Sequence, residues 1–286
     1  MIKDRLPILI ADAMKSGNKV ELNALRAVKT AYMNWETAKE NVRLALEAGF
    51  RHIDTAQGYE NEAEVGMGII ESGVSREEIF ITTKVATNIM REGIESISKS
   101  IDESLSKLQT DYLDLLLIHW PVKDCVKQTW QTMEEYVNQG KIRSIGVSNF
   151  NQHHLNDLLE YAKIVPAINQ IEVHPYMIQE ENIAINHNLG IQVEAWGPFG
   201  QGDIDITGDP LLQSLAVKYG KTASQIILRW IVQRNLITIP RAKPNHFAEN
   251  LDIMNFTLSN EDMVAINSLN KNLRSNVLND PETFPW

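Results

Sequence analysis

The sequence RHIDTAQGY (residues 51–59) sets the pattern for the rest of the chain. A short apolar run that ends in a carboxylate and continues into a glycine-containing turn indicates a strand. That strand would deliver Asp54, and then Tyr59, to one edge of a sheet. Taken alone the signal is weak, because a partly buried aspartate is more often a structural hydrogen-bond acceptor than a catalyst. Its significance depends on the strands that follow.

From Glu36 onwards, helical and strand-like segments alternate. The strand-like segments are 51–55, 79–85, 112–120, 142–149, 167–173, 191–196 and 236–241. The helical segments are 37–48, one that ends at Gly73, 94–108, 127–138, 152–163, 179–188, 210–219, 222–233, 245–252 and 259–269. Strands separated by helices of this length must pair in parallel, because each crossover helix packs back on the sheet.

The fold class that fits best is α/β, as a (β/α)8 TIM barrel, for which 286 residues are enough to form one domain. A doubly wound open sheet is the alternative. The Gly-x-Gly-x-x-Gly turn that would mark a dinucleotide crevice in such a sheet is absent from the sequence.

Residues 1–36 differ from the rest of the chain. Their apolar residues recur at helical spacing on both sides of Ser16-Gly17-Asn18, which predicts a helical hairpin. We therefore expect an atypical N-terminal segment at 1–36 and a barrel at 37–286.

Charge and composition exclude several classes of binding partner and of structural site. The formal net charge of -10 argues against nucleic acid and anionic membranes as partners, because both select clustered Lys and Arg. With Cys125 as the single cysteine, an internal disulfide and a cysteine-based zinc site are excluded. No apolar run approaches the roughly 20 residues of a membrane span, and the start of the chain lacks the apolar region of a signal peptide. The expected location is cytoplasmic.

Polar or aromatic side chains stand where the predicted strands end. Because functional groups of TIM barrels lie at the C-terminal ends of the strands, these residues form one candidate rim: Asp54, Lys84, His119, Ser148, Asn149, Gln170, Trp196 and Arg241. Each has an ordinary structural interpretation, such as a solvated lysine, a core histidine or a helix N-cap. Their joint placement on one rim favours a functional site.

The residue types suit the reduction of a carbonyl group. Asp54 and Lys84 on neighbouring strands form an ion pair, and an ammonium beside a phenol favours the phenolate, which makes Tyr59 a usable proton donor. His119 on the next strand can donate a hydrogen bond to a carbonyl oxygen on which charge develops. A carbonyl whose oxygen is protonated here must receive hydride at carbon, and the hydride must come from a cofactor.

Seven stretches, together with the helix at 37–48, strongly resemble the aldo-keto reductase family. They are GFRHIDTAQGYENEAEVG (49–66), ITTKV (81–85), LDLLLIHWP (113–121), GVSNF (146–150), INQIEVHPY (168–176), AWGPFGQG (195–202) and IPRAKPNHFAENLDIMNFTLSNEDM (239–263). The resemblance runs from about Glu36 to about Asn270. The stretch at 195–202 is most similar to the bacterial branch that includes 2,5-diketo-D-gluconate reductases and related broad-range aldehyde reductases.

The resemblance implies a role for each matching residue. Catalysis would use Asp54, Tyr59, Lys84 and His119, with Tyr59 as the general acid, Lys84 and Asp54 tuning it, and His119 orienting the carbonyl. Ser148, Asn149 and Gln170 would hold the nicotinamide carboxamide, and Trp196 would stack on the ring. The rest of the cofactor would be contacted by Gly197, Pro198, Phe199 and Gln201 at the pyrophosphate, by Arg241, Ala242, Lys243 and His246 near the 2′-phosphate, and by Glu249 and Asn250 at the adenine. Trp120, beside His119, would form an aromatic wall of the substrate pocket.

Three departures from the family pattern affect these expectations. The phosphate-binding loop is one residue shorter than usual. Its Arg241 and Lys243 can still pair with a phosphate, so NADPH is the expected cofactor and NADH is the alternative. Ala86 replaces a usual tryptophan, which predicts a wider pocket.

The first barrel strand is uncertain within residues 1–36, where the sequence more weakly resembles the helical start of GatB/YqeY-like proteins. We expect 27–32, rather than 7–10, to supply this strand; otherwise the open barrel would expose its strand edges.

The sequence therefore predicts an NADPH-dependent reductase of a small carbonyl substrate, with family resemblance favouring a monomer or a weak dimer. The alternative is a cofactor-binding barrel with little or no catalysis because of its unusual N-terminus. A third interpretation makes residues 1–36 a protein- or RNA-contacting module fused to a reductase, although basic residues there are too few and too dispersed for RNA contact.

Overall fold

A computed structural model describes residues 38–284 of the chain. Seven strands form a single parallel sheet in the order in which they occur along the chain. The strands are β1 (His52–Asp54), β2 (Phe80–Val85), β3 (Leu113–Ile118), β4 (Ile142–Ser148), β5 (Ile168–Glu172), β6 (Gln192–Trp196) and β7 (Ile237–Ile239). This sequential order, with a helix after each strand, confirms the predicted α/β barrel of the TIM type and rules out the doubly wound sheet, whose strand order would reverse.

The helices lie between the strands as expected. They are α1 (38–48), α2 (Glu62–Ser72), α3 (Thr87–Glu92), α4 (Ile94–Lys107), α5 (Val126–Asn138), α6 (Gln152–Leu159), α7 (Glu180–Asn188), α8 (Pro210–Tyr219), α9 (Ala223–Gln233), α10 (Phe247–Leu251) and α11 (Asn260–Asn267). Among residues 38–284, no helix is both long enough and apolar enough to cross a membrane.

Local sequence signals account for several of the helix ends. Helix α2 ends at Gly73, which adopts the left-handed conformation at φ 67°, where glycine has no steric penalty. Helix α8 begins with Asp209 as N-cap and Pro210 at its first position. Helix α9 begins with a capping box in which Thr222 and Gln225 satisfy each other's backbone N–H groups.

Three predicted boundaries differ from the structure. Helix α6 stops at Leu159 rather than at 163, because the Glu134 carboxylate accepts the backbone N–H groups of Lys163 and Ile164 and so holds that part of the chain outside the helix. Strand β7 is shorter than 236–241, since Pro240 has no N–H to give to the ladder. The short helix α3 was not predicted.

The core explains why the strands read as apolar runs. All six residues of β3 are buried, because helices cover one face of the barrel wall and side chains fill the other. Strands β1 and β7 are the two ends of the sheet, and neither has a second strand neighbour among the described residues. The candidate first strand at 27–32 and the whole predicted N-terminal segment at 1–36 lie outside the described residues.

A buried carboxylate at Asp114 ties three strands together. Its Oδ2 accepts Arg76 Nη2 at 2.7 Å and the Ile81 backbone N–H at 2.9 Å, and its Oδ1 accepts Arg143 Nη1 at 2.8 Å. Each of the two guanidinium groups also lies 3.9 Å from the centroid of the Tyr112 ring. The site therefore joins β2, β3 and β4 through a single charge.

We expect Asp114→Ala to lower the free energy of unfolding by about 3 kcal/mol, because it leaves two arginines and a buried N–H without their acceptor. Urea unfolding of the wild type and the variant measures this difference. Asp111→Ala, at an exposed position three residues earlier, is the control and should change the free energy of unfolding by less than about 0.5 kcal/mol. Equal effects of the two substitutions would contradict the stabilising role of Asp114.

Candidate active site

A buried lysine lies at the centre of the rim. Lys84, on β2, is fully buried; its Nζ donates to Asp54 Oδ1 at 2.6 Å and to the Thr55 carbonyl at 2.9 Å. Burial alone would lower the pKa of Lys84, but the neighbouring Asp54 carboxylate, which also accepts its hydrogen bond, outweighs burial and raises the pKa. Lys84 is therefore a fixed cation, and the predicted ion pair between Asp54 and Lys84 is present.

Tyr59 lies beside this cation on the short 3-10 helix Gln57–Tyr59. The Lys84 Nζ is 5.2 Å from the centroid of the Tyr59 ring, and the side chain of Tyr59 is 48% exposed. Gln57 anchors the turn: its Oε1 accepts the Ala86 N–H at 2.9 Å and its Nε2 donates to Ser104 Oγ at 3.1 Å. The phenol is thus held in place while it remains open to a ligand.

His119 follows β3 and forms the third side of the site. Its ring lies 5.7 Å from the Tyr59 ring, centroid to centroid, at an interplanar angle of 82°. Burial, followed by the nearby Lys84 cation, lowers the pKa of His119 to about 3. The imidazole is therefore neutral near pH 7, with one nitrogen as a hydrogen-bond donor. Trp120 lies beyond it, at 6.4 Å from His119 and stacked at 4.0 Å on Phe284.

The residues predicted to hold the nicotinamide carboxamide form one hydrogen-bonded group. Parallel pairing places Ser148 on β4, Gln170 on β5 and Glu194 on β6 side by side. Asn149 Oδ1 accepts the Trp196 indole N–H at 2.9 Å, and Asn149 Nδ2 donates to Ser148 Oγ at 3.1 Å. Asn149 adopts a left-handed backbone conformation at φ 64°, which aims its side chain back toward the rim.

Gln170 connects this group to the ion pair. Its Nε2 donates to Asp54 Oδ2 at 2.9 Å and to Glu194 Oε2 at 2.7 Å. Sequence reasoning missed Glu194 and Gln57. The signal for Glu194 was available, because a carboxylate inside the otherwise apolar run 191–196 occupies a buried strand position and must have a partner.

The other predicted cofactor residues follow β6 and β7. Gly197, Pro198, Phe199 and Gln201 lie in the loop after β6, where Gly197 and Gln201 have φ values of 63° and 54°. Arg241 and Lys243 are exposed, and neither has an acidic partner among residues 38–284; Ala242 lies between them. Farther along, His246 Nδ1 lies 3.2 Å from Glu249 Oε2, Thr222 Oγ1 donates to Glu249 Oε1, and Asn250 is buried. Glu249 is thus already engaged by protein groups, unlike the two cations.

The low pKa of His119 predicts a dependence of stability on pH. An unfolded histidine has a pKa near 6.5, so between this pH and about 3 the unfolded chain binds a proton that folded His119 does not. The contribution of His119 to the free energy of unfolding is therefore complete above the unfolded pKa near 6.5. It is lost as the pH falls toward the folded pKa of about 3. We expect the free energy of unfolding to fall less between about pH 7 and pH 5 in His119→Gln than in the wild type.

Urea unfolding at both pH values measures this difference. His153→Gln, at an exposed histidine, is the matched control and should retain the pH dependence of the wild type. A His119→Gln variant with an unchanged pH dependence would show that the native imidazole titrates normally.

Comparison with known proteins places this geometry in a family. The model of the Aldo/keto reductase family matches residues 23–271, which is most of the chain. The chain is 45% identical over 270 residues to a glyoxal reductase from Bacillus subtilis (strain 168), covering 94% of this chain and 96% of that protein. It is 40% identical over 271 residues to a morphine 6-dehydrogenase from Pseudomonas putida, covering 90% of each.

A solved structure agrees with this result. The crystal structure of a Bombyx mori aldo-keto reductase in complex with NADP superposes with a TM-score of 0.79 at 39% identity, covering 86% of this chain and 87% of that one. The comparisons give no support to a relationship between residues 1–36 and GatB/YqeY-like proteins, since the family match itself begins at residue 23. This protein belongs to the aldo/keto reductase family.

Proposed function

We propose that the protein reduces aldehydes or ketones to alcohols with NADPH, and that Tyr59 is the general acid. One observation carries the proposal. A fully buried Lys84 cation, paired with Asp54, lies 5.2 Å from the centroid of the Tyr59 ring, and the neutral imidazole of His119 lies 5.7 Å from the same ring. A structural ion pair would not require an exposed phenol and an uncharged histidine beside it. The arrangement suits proton donation to an oxygen that gains negative charge.

Each residue has a defined task in this reaction. The neutral His119 donates a hydrogen bond to the carbonyl oxygen and so orients the substrate toward Tyr59. Tyr59 gives its proton to that oxygen, and the Lys84 cation stabilises the negative charge left on the phenol. Asp54 holds Lys84 in place and balances its charge. Trp120, stacked on Phe284, supplies an apolar wall next to His119.

The residues of the rim also fit a nicotinamide cofactor. Gln170 Oε1 has no hydrogen-bond partner among the described residues, so it can accept from a carboxamide N–H. Arg241 and Lys243 have no acidic partner among the described residues, so their charges favour a 2′-phosphate, and therefore NADPH over NADH. When bound, the reduced nicotinamide supplies the hydride that the carbonyl carbon receives. Trp196, oriented through Asn149, would lie against the ring.

The relatives suggest the class of substrate. One is named for the reduction of glyoxal, a small dialdehyde, and another for the oxidation of a large polycyclic alcohol. The family resemblance implies a tryptophan at the position of Ala86, so a wider pocket is expected there, while the stacked rings of Trp120 and Phe284 lie next to His119. We expect activity on small reactive aldehydes and on some larger aromatic ones.

Titration with NADPH, followed by addition of a nitrobenzaldehyde, tests the proposal. Cofactor stacking on Trp196 should quench tryptophan fluorescence, and turnover should consume the absorbance of the reduced nicotinamide. Quenching that is much weaker with NADH than with NADPH would support the role of Arg241 and Lys243. Quenching without consumption over a broad panel of aldehydes would favour the alternative, a cofactor-binding barrel, and the absence of quenching would contradict the cofactor site.

A further inference from the structure

Glu194 is a buried carboxylate that the proposed reaction does not use. It is fully buried on β6; its Oε2 accepts Gln170 Nε2 at 2.7 Å, and its Oε1 has no hydrogen-bond partner in the described part of the chain. The charged and titratable groups around it are His52, whose Nδ1 lies 3.5 Å from Oε1, Asp54 and Lys84. Burying a carboxylate is costly, so this position needs an explanation.

The explanation lies in the amide of Gln170. A glutamine amide has two N–H donors on its nitrogen and an acceptor oxygen, and an isolated amide can turn about its last torsion with little resistance. Here one N–H goes to Asp54 Oδ2 at 2.9 Å and the other to Glu194 Oε2. Asp54 is paired with the Lys84 cation and is therefore an acceptor. The nitrogen must face the two carboxylates, and the oxygen must face away from them.

We propose that Glu194 is a positioning residue of the cofactor site: with Asp54 it holds both amide hydrogens of Gln170, so that Gln170 Oε1 is presented to the carboxamide N–H of the nicotinamide. This inference rests on the proposed function, because it assigns a task within the nicotinamide site. It also couples the two halves of the site, since Asp54 binds Lys84 through one oxygen and Gln170 through the other.

The arrangement tolerates a change in the charge of Glu194. Burial raises the pKa of Glu194, and a proton added to the carboxyl group has its place on Oε1, which faces His52, while Oε2 continues to accept from Gln170. Glu194→Gln can likewise keep an acceptor toward Gln170. Glu194→Met fills a similar volume but leaves one buried N–H of Gln170 without an acceptor, so the amide is no longer fixed by two bonds.

The test compares NADPH with its 3-acetylpyridine analogue, in which a methyl group replaces the carboxamide nitrogen. Dissociation constants of both are measured by tryptophan quenching in the wild type, Glu194→Gln and Glu194→Met. We expect the wild type to bind NADPH about tenfold more tightly than the analogue, the value of one buried hydrogen bond. Glu194→Met should lose most of this preference by weakening NADPH binding alone, and Glu194→Gln should retain it.

Each remaining outcome has a definite meaning. Equal weakening of both nucleotides in Glu194→Met would indicate a merely structural role and overturn the inference, as would an unchanged preference. A wild type that binds both equally would overturn the inference while leaving the proposed function intact, whereas a wild type that binds neither would overturn both. If Glu194→Met does not fold, hydrogen exchange of the Gln170 side-chain amide in the wild type decides: two protected protons support the inference, and rapid exchange of either one overturns it.

Discussion

Tyr59→Phe should reduce the turnover of aldehydes about a thousandfold, because it removes the proton that the carbonyl oxygen must receive. The dissociation constant for NADPH should change by less than about twofold, since the residues proposed to contact the nicotinamide are unchanged. Folding should also be unaffected: the side chain is half exposed, and its hydroxyl makes no hydrogen bond to any residue in the range 38–284. Steady-state kinetics with NADPH and a nitrobenzaldehyde measure the effect.

Tyr161 provides a matched control for this substitution. It also lies beside an ammonium group, with Lys127 Nζ 5.3 Å from its ring centroid. None of the residues 38–284 places an imidazole ring against it. Burial, followed by Asp157 and Glu160, raises the pKa of Tyr161 to about 12. Tyr161→Phe should keep the activity of the wild type. Substantial turnover by Tyr59→Phe would remove Tyr59 from the role of general acid.

Lys84→Met should also reduce turnover, by about a thousandfold, and in addition should destabilise the fold. The substitution removes the cation that stabilises the charge left on Tyr59, and it leaves Asp54 without its ion-pair partner and the Thr55 carbonyl without its donor. Removing one partner of a buried ion pair typically lowers the free energy of unfolding by about 3 kcal/mol. Activity is therefore measured at a temperature where urea unfolding shows that the variant is folded.

Lys99→Met controls for the loss of a lysine. Lys99 is a largely exposed residue of α4, 3.6 Å from Glu103, and an exposed ion pair of this kind contributes little to stability. This variant should match the wild type in both turnover and stability. A Lys84→Met protein that is folded and active would show that the buried ion pair between Lys84 and Asp54 stabilises the barrel but does not contribute to catalysis.

The strands could be predicted because each combines an apolar run with a breaker. Five of the six residues of β3 (LDLLLI) are apolar, and the run is followed by His119-Trp120-Pro121; this pattern is typical of a strand that is covered on both faces. The strict alternation with helices then required parallel pairing, and the structure confirms both. The boundary of α6 was wrong because of a tertiary contact with the Glu134 carboxylate, whereas β7 ends early because of Pro240.

The candidate site was less fully predictable. The ends of the strands brought Asp54, Lys84, His119 and Gln170 together because parallel strands place their carboxyl ends at one rim. The hydrogen-bond network beneath the rim depends on the register of neighbouring strands and on side-chain orientation. A sequence pattern contains neither. The contact of Gln170 with both Asp54 and Glu194 joins residues 116 and 24 positions apart, and sequence spacing gives no indication of either.

The C-terminal segment shows the same limit. Phe284 lies far along the chain from the strand ends, and its sequence position alone does not connect it with the candidate site. In the structure its ring stacks on Trp120, next to His119, so it lies at the candidate substrate site. The prediction that 27–32 completes the barrel concerns residues outside the described range and stays a prediction.

The most direct test of the account follows the hydrogen atom itself. NADPH carrying deuterium on one or the other face of the nicotinamide is incubated with a nitrobenzaldehyde and the wild-type protein, and the alcohol product is analysed by mass spectrometry. The account predicts deuterium on the alcohol carbon from one labelled form and not from the other, because Trp196 and Gln170 fix the ring. It also predicts about a thousandfold less labelled product from Tyr59→Phe in the same time. Alcohol without deuterium from both labelled forms, or equal transfer from both faces, would contradict the account.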